Sequence, residues 1–301
     1  ITAWRAFEME LPTDTDGVAT YLSGFVQRLD QDQLSQELQL SGDFGRLSFT
    51  TGALAYRENF DVWRHSWSNN AFSLLESQSG TASYGLNAQG DYKLTERLTA
   101  TLGLRTSFER KEMDAAGWRS DVDAVLGIQT FEIEGLKKDY RSTVPKAALS
   151  YRVTPEILTY VSYAQGTTSG GFNAAPGNGT VAAIPIGQEK VSAYEAGAKG
   201  NFLGARLQGG LAVFYNDYTD YQASITNPVI DGVPVTGAVI QNAGDAHIYG
   251  AELEIALRPT ERLNAALSLA HMRSAFDSYE NPTGAAASNY VGAPLPFVPE
   301  L

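Results

Sequence analysis

The side chains this chain sets out in a pattern are charged ones. Glu252 and Glu254 alternate with Leu253 and Ile255, Glu195 and Lys199 alternate with Tyr194, Ala196 and Ala198, and Arg105 opposes Leu102 and Leu104. A period of two puts such residues on one face of an extended strand. Charges placed that way suit a wet wall or a polar solute, and no pair of them is singled out as acid and base. There is no Gly-x-Ser-x-Gly, no P-loop and no His-x-x-x-His, and His65, His247 and His271 lie far apart. Cysteine is absent, which excludes thiol catalysis, a disulfide framework and a Cys-based zinc site. Asp14-Thr15-Asp16-Gly17 opens like a calcium loop but lacks the later ligands, so a turn is the default. Trp63, Trp67 and Tyr290 could meet an aromatic or glycan ligand, or pack among themselves. The expectation is a protein that binds rather than an enzyme, with no cofactor and no metal.

Composition narrows the partners. The 301 residues carry 22 basic and 34 acidic side chains, a net charge of −12, and show no basic stripe for nucleic acid. No run of 18 apolar residues exists, which excludes a membrane helix. Mean hydropathy is −0.20. A membrane barrel is compatible with that value, because only alternate residues of its strands meet lipid.

The elements that must position these charges are long hairpins. Short turns centre on Gly45, Glu96, Pro155, Gly204 and Thr260, at spacings of 51, 59, 49 and 56 residues. Three share wording: Leu94-Thr95-Glu96-Arg97-Leu98, Val153-Thr154-Pro155-Glu156-Ile157 and Pro259-Thr260-Glu261-Arg262-Leu263. Alternation between them predicts strands at 1–8, 33–42, 46–58, 81–93, 98–111, 140–152, 157–166, 190–202, 206–220, 245–258 and 262–276. Long connections follow at 9–32, 59–80, 112–139, 167–189, 221–244 and 277–296; Val26–Leu38 is the best helical candidate, a weak one. Tyr160, Tyr163, Tyr215, Tyr218, Tyr221, Tyr249 and Trp118 fall near strand ends, as interface girdles do. Tight turns at one end and long loops at the other predict an all-β, antiparallel transmembrane β-barrel wall of about eleven strands, with short periplasmic turns and long extracellular loops. A passive porin or autotransporter-type barrel would share the alternation. A soluble carbohydrate-binding β-propeller would share the period near 50 residues, but its blades need four short strands per unit.

Several motifs carry a resemblance. Pro145-Lys146-Ala147-Ala148-Leu149-Ser150-Tyr151, Tyr160 through Gly166, Ser169-Gly170-Gly171-Phe172-Asn173, Tyr194-Glu195-Ala196-Gly197-Ala198-Lys199, Phe214 through Tyr218, and Asn242-Ala243-Gly244 through Glu254 stand in sequence. In order and spacing they resemble the barrel region of TonB-dependent outer-membrane receptors. The resemblance implies a 22-stranded barrel plugged by an N-terminal domain, in the outer membrane of a Gram-negative bacterium. It also implies uptake of a scarce solute, such as a ferric siderophore, energised through TonB. Residues 1–301 then read as one barrel segment, with the plug domain and C-terminal strands absent from it. The expected partners are outer-membrane lipid, the plug, the TonB complex through the missing N-terminal part, and a small solute. Arg105, Glu195, Lys199, Glu252 and Glu254 become lumen residues facing ligand or plug, or wall charges paired across strands. Ser169, Gly170, Gly171, Phe172 and Asn173 become part of a ligand-facing loop, or a turn whose glycines reverse the chain at positive φ.

Overall fold

The computed structural model describes residues 1–18, 22–68, 71–120, 126–204, 206–226, 228–230, 233–234, 238–279 and 290–299. Its strands are β1 (Thr2–Asp14), β2 (Ser23–Phe44), β3 (Leu47–Ser68), β4 (Ala71–Lys93), β5 (Leu98–Ser120), β6 (Leu126–Arg152), β7 (Ile157–Thr168), β8 (Glu189–Phe202), β9 (Leu207–Thr226), β12 (Ala238–Thr260) and β13 (Leu263–Phe276). They form one antiparallel sheet of eleven strands in that order, open between β1 and β13. A two-residue ribbon, β10 (Val229–Ile230) with β11 (Val233–Pro234), lies between β9 and β12, and one short helix, α1 (Gly179–Ala183), lies between β7 and β8.

The shared turn wording has a local cause. Thr95 Oγ1 accepts the N–H groups of Arg97 and Leu98, Thr154 Oγ1 those of Glu156 and Ile157, and Thr260 Oγ1 that of Arg262. The hydroxyl thus satisfies donors that the tight turn leaves unpaired. At the β2–β3 turn Gly45 takes φ 63°, which only glycine adopts without strain. The last turn falls on Glu261-Arg262, one residue beyond the expected Thr260.

The eleven strands stand where alternation put them, but most are longer. β2 and β3 each have 22 residues and β6 has 27. Four connections expected as loops, 9–32, 59–80, 112–139 and 221–244, are mostly strand. Val26–Leu38 is strand within β2. These outer extensions mix polar and apolar residues on both faces, with Val62, Leu75 and Met113 set among polar neighbours, so no clean hydrophobic period marks them; ladder hydrogen bonds hold them.

Register divides the sheet into two faces. Cross-strand partners share a face, so Leu38, Ala53, Leu86, Thr106 and Thr143 form one row, and Leu253, Leu211, Ala198, Thr159 and Tyr151 follow one another across the other half. Leu38, Leu86, Leu102, Leu211 and Leu269 on this face are all at least half exposed. On β2 it is apolar from Phe44 to Leu34 apart from Gly42 and Gln36, then turns to Asp32, Asp30 and Arg28. Ten steps of about 3.3 Å at a tilt of about 40° span roughly 25 Å, the height of a barrel's lipid band. Tyr163, Tyr194, Tyr215 and Tyr249 are consecutive partners in a single row near the top of that band. Such a row is an aromatic girdle.

Candidate functional site: the inner wall and its inward loop

All five predicted charges lie on the face opposite the apolar one. Arg105 is paired with Asn87 and Val144, Glu195 with Ser162 and Phe214, and Lys199 with Leu158 and Gly210. Glu252 is paired with Ala212 and Ala270, and Glu254 with Gly210 and Ser268. The sheet gathers four of them on β8 and β12, while Arg105 stands apart on β5. Lys199 and Glu254 flank Gly210 in one row and line one hollow near the turn end. Tyr160 donates its hydroxyl to Glu195, and its ring lies over Gly197, where a Cβ would come within 2.7 Å of it. None of the five forms an ion pair among the described residues, so the cross-strand salt bridges considered from sequence are not formed.

The second feature is the chain between β7 and β8. Ladder pairing of β6 with β7 ends at Lys146–Ala164, beside Pro145, which has no N–H to donate. β7 and β8 then stop at 12 and 14 residues, leaving a low place that residues 169–188 fill. Gly171 forms a bridge with Ile186, and the Tyr140 hydroxyl donates to the Ile186 carbonyl at 2.6 Å. Asn173, 8% exposed, grips the backbone of Ile240 from both sides: Ile240 N–H donates to its Oδ1 at 3.0 Å, and its Nδ2 donates to the Ile240 carbonyl at 3.4 Å. Gln222 Nε2 donates to the carbonyls of Ser169 and Gly187, and Gly187 N–H donates to Asn242 Oδ1 at 2.6 Å. Phe172 packs with Met113, Ala115 and Ala182. Asn178 caps α1 through Val181 N–H.

Gly170 and Gly171 do not adopt positive φ; the reversal expected of them is not their role. A Cβ on Gly170 would lie 2.1 Å from the Ile186 carbonyl oxygen and 2.4 Å from the Tyr140 ring. The glycine is there for close approach. Tyr140 and Gln222, which anchor the loop, carry no local sequence signal; Asn242 stood in a motif but without an assigned task.

These anchors also show which way the sheet curls. Phe172 reaches β5 and Asn173 reaches β12, five pairing steps apart in the sheet order. On a flat sheet those strands would be about 24 Å apart, too far for adjacent residues, so the charged face is concave and the loop sits inside it. Between loop and wall lies a cavity of about 250 Å³ bounded by Glu58, Phe60, Thr81, Lys111, Gly170 and Phe172.

A wall greasy outside and charged inside, with a loop folded into its hollow, is shared with known proteins. A family model described as "TonB dependent receptor-like, beta-barrel" matches residues 4–301. The chain belongs to that family. It is a transport-receptor barrel rather than an enzyme, and its place is the outer membrane of a Gram-negative bacterium. It is 24% identical over 197 residues to the metal-pseudopaline receptor CntO of Pseudomonas aeruginosa, covering 65% of this chain and 25% of that one. Among solved structures, the ferric yersiniabactin uptake receptor FyuA from Yersinia pestis matches with TM-score 0.79 at 21% identity, over 99% of this chain and 42% of that one. The siderophore receptor PiuA from Acinetobacter baumannii matches with TM-score 0.67 at 16% identity, over 99% and 47%. The chain thus spans a quarter to a half of these proteins. A single sheet with two long strands per unit also removes the propeller reading.

The remaining sequence candidates lie elsewhere. Trp63 and Trp67 share the outer face above the apolar band, flanking His65, with Arg28 over the Trp63 ring at 5.3 Å. Tyr290 stacks edge-on against Tyr279. Asp14 and Asp16 form a turn: Asp14 accepts two N–H groups, and Asp16 accepts those of Val18, Leu22 and Ser23. These donors hold the Asp16 carboxyl below its usual range, the Val18 N–H most of all. No acidic or histidine cluster with metal-holding geometry occurs among the described residues.

Proposed function

We propose that residues 1–301 are the wall of a receptor that takes up a scarce chelated metal, a ferric siderophore or a related metallophore complex, using energy delivered through TonB. On this reading the plug domain and the rest of the barrel belong to other parts of the full-length protein. The TonB complex acts on the plug, and Arg105, Glu195, Lys199, Glu252 and Glu254 face plug or solute across the wet interior. Ser169–Asn173 fixes the inward loop that narrows the entrance. The observation that carries the reading is that loop, clamped by Asn173, Gln222 and Tyr140 to the concave face. The names of the relatives, receptors for metal-pseudopaline, ferric yersiniabactin and a siderophore, point to chelated metal as cargo.

Uptake of labelled metal chelates by cells expressing the full-length protein tests this. Accumulation is expected to require both the receptor and TonB. Accumulation that persists without TonB would indicate a passive pore, and no accumulation of any metal chelate would remove that class of cargo.

A further inference from the structure

The space behind the inward loop holds two opposite charges that do not meet. Glu58 on β3 and Lys111 on β5 stand in one inner-face row with Thr81 of β4 between them, so their backbones are two strand spacings, about 10 Å, apart. Both line the cavity of about 250 Å³ that the loop covers with Ser169 to Phe172. Each charge is held by other neighbours. Tyr56 donates its hydroxyl to Glu58 Oε2 at 2.8 Å, and Gln31 Nε2 donates to Oε1. Neither of these carries a positive charge, and Glu58 has no ion pair among the described residues. Lys111 Nζ lies 3.0 Å from Glu109 Oε1 and donates to Thr81 Oγ1 at 3.1 Å, which leaves one of its three donors uncommitted.

A carboxylate taken partly out of water is costly to hold without a counter-charge. Around this one the cavity is walled by Phe60, Met113, Phe172 and Ile186. The Ser169 hydroxyl, on the loop side, is buried without a partner among the described residues. An ammonium would answer Glu58, a carboxylate would answer Lys111, and an apolar group would lie against the rings. A lone anion would meet Glu58 as a like charge, and a lone cation would meet Lys111. When ammonium and carboxylate share one carbon and each end adds a hydrogen bond of about 2.8 Å, the two ends bridge roughly 8–9 Å, close to the spacing of the two strands. The volume falls below the range of about 300–1,000 Å³ that takes drug-sized ligands, so the occupant is small.

We propose that this cavity binds a small zwitterion of the amino-acid type, its ammonium at Glu58, its carboxylate at Lys111 and an apolar side chain against Phe60 and Phe172. The inference goes beyond the transport reading and is decided by binding alone, whichever solute the receptor takes up. Full-length receptor purified in mild detergent would be titrated calorimetrically with leucine, with leucinamide, which lacks the carboxylate, and with 4-methylpentanoate, which lacks the ammonium. Leucine is expected to bind about tenfold more tightly than either, and to slow protease cutting within 169–188. Glu58→Gln should abolish the preference for leucine over 4-methylpentanoate, and Lys111→Met the preference for leucine over leucinamide. A merely structural role for either side chain would weaken all three ligands alike. Equal binding of the three by wild type, or no binding of leucine, would overturn the proposal without recourse to any variant. So would an unchanged preference in Glu58→Gln and Lys111→Met at unchanged melting temperature.

Discussion

Adjacent residues of β2 separate the two faces most cleanly. Leu40 lies on the apolar face, four steps from Phe44 at the turn end, and is 62% exposed. Gln39 is its neighbour on the charged face and is also exposed. At about 2.5 Å of height per residue both sit near the middle of the roughly 25 Å band. Because Leu40 makes little contact with protein, Leu40→Arg removes little packing and mainly sets a guanidinium in hydrocarbon. That costs about 2–4 kcal/mol at the midplane, a shift of roughly 30- to 700-fold in the unfolding equilibrium. Gln39→Arg places the same group in the wet interior and should cost under about 0.5 kcal/mol, as an ordinary surface change does. Denaturant unfolding of the full-length receptor in lipid vesicles, followed by tryptophan fluorescence, measures both. Equal costs, or a larger cost for Gln39→Arg, would mean that the faces are assigned the wrong way round.

Other expectations follow from the loop and the turns. Gly170→Ala drives a methyl into the Ile186 carbonyl and Tyr140, so protease should cut within 169–188 faster than in wild type while the melting temperature changes little. Asn173→Ala removes both hydrogen bonds to the Ile240 backbone in a part-buried place; a local loss of about 0.5–1.5 kcal/mol per bond should appear as faster amide exchange at Ile240. Asp16 has a depressed carboxyl pKa in the folded protein. The turn's stabilisation is therefore complete above the ordinary carboxylate range and is lost as pH falls through the folded value. Protection of the Val18, Leu22 and Ser23 amides, measured against their intrinsic exchange rates, should fall in acid, and Asp16→Ala should abolish that pH dependence of the protection.

How much of this was legible depends on what water and lipid each demand. Within the lipid band the outer face must be apolar and the inner face wet, so residues such as Leu211, Val213, Glu252 and Glu254 display a period of two and reveal their strand. Above the band neither face is selected for grease. Asp30, Gln31 and Asp32 of β2, in the connection expected at 9–32, and Glu76, Ser77, Gln78 and Ser79 of β4, in that expected at 59–80, are polar on both sides, so the strand there reads as loop. The turns were legible because a threonine hydroxyl or a glycine φ is a local requirement. Loop anchorage was not, because Tyr140, Gln222 and Asn242 act over separations of 46, 53 and 55 residues on carbonyl and amide groups that any sequence would supply.

The extension of the strands changes what the outer end of the barrel can do. Hairpins with a continuous ladder resist bending, since each bend breaks several hydrogen bonds at once. β2 to β6 rise as such a rim, and β9 pairs with β12 as far as Thr226 and Ala238. Between them β7 and β8 end early, and the covering segment 169–188 has one bridge and a handful of side-chain clasps in place of a ladder. Opening it requires giving up those clasps, at about 0.5–1.5 kcal/mol each, and the small apolar contacts of Phe172, Val181 and Ala182 with the wall, while opening any neighbouring hairpin requires unzipping paired strands. If the entrance widens for a bulky solute, residues 169–188 are the part of this wall that can yield at least cost.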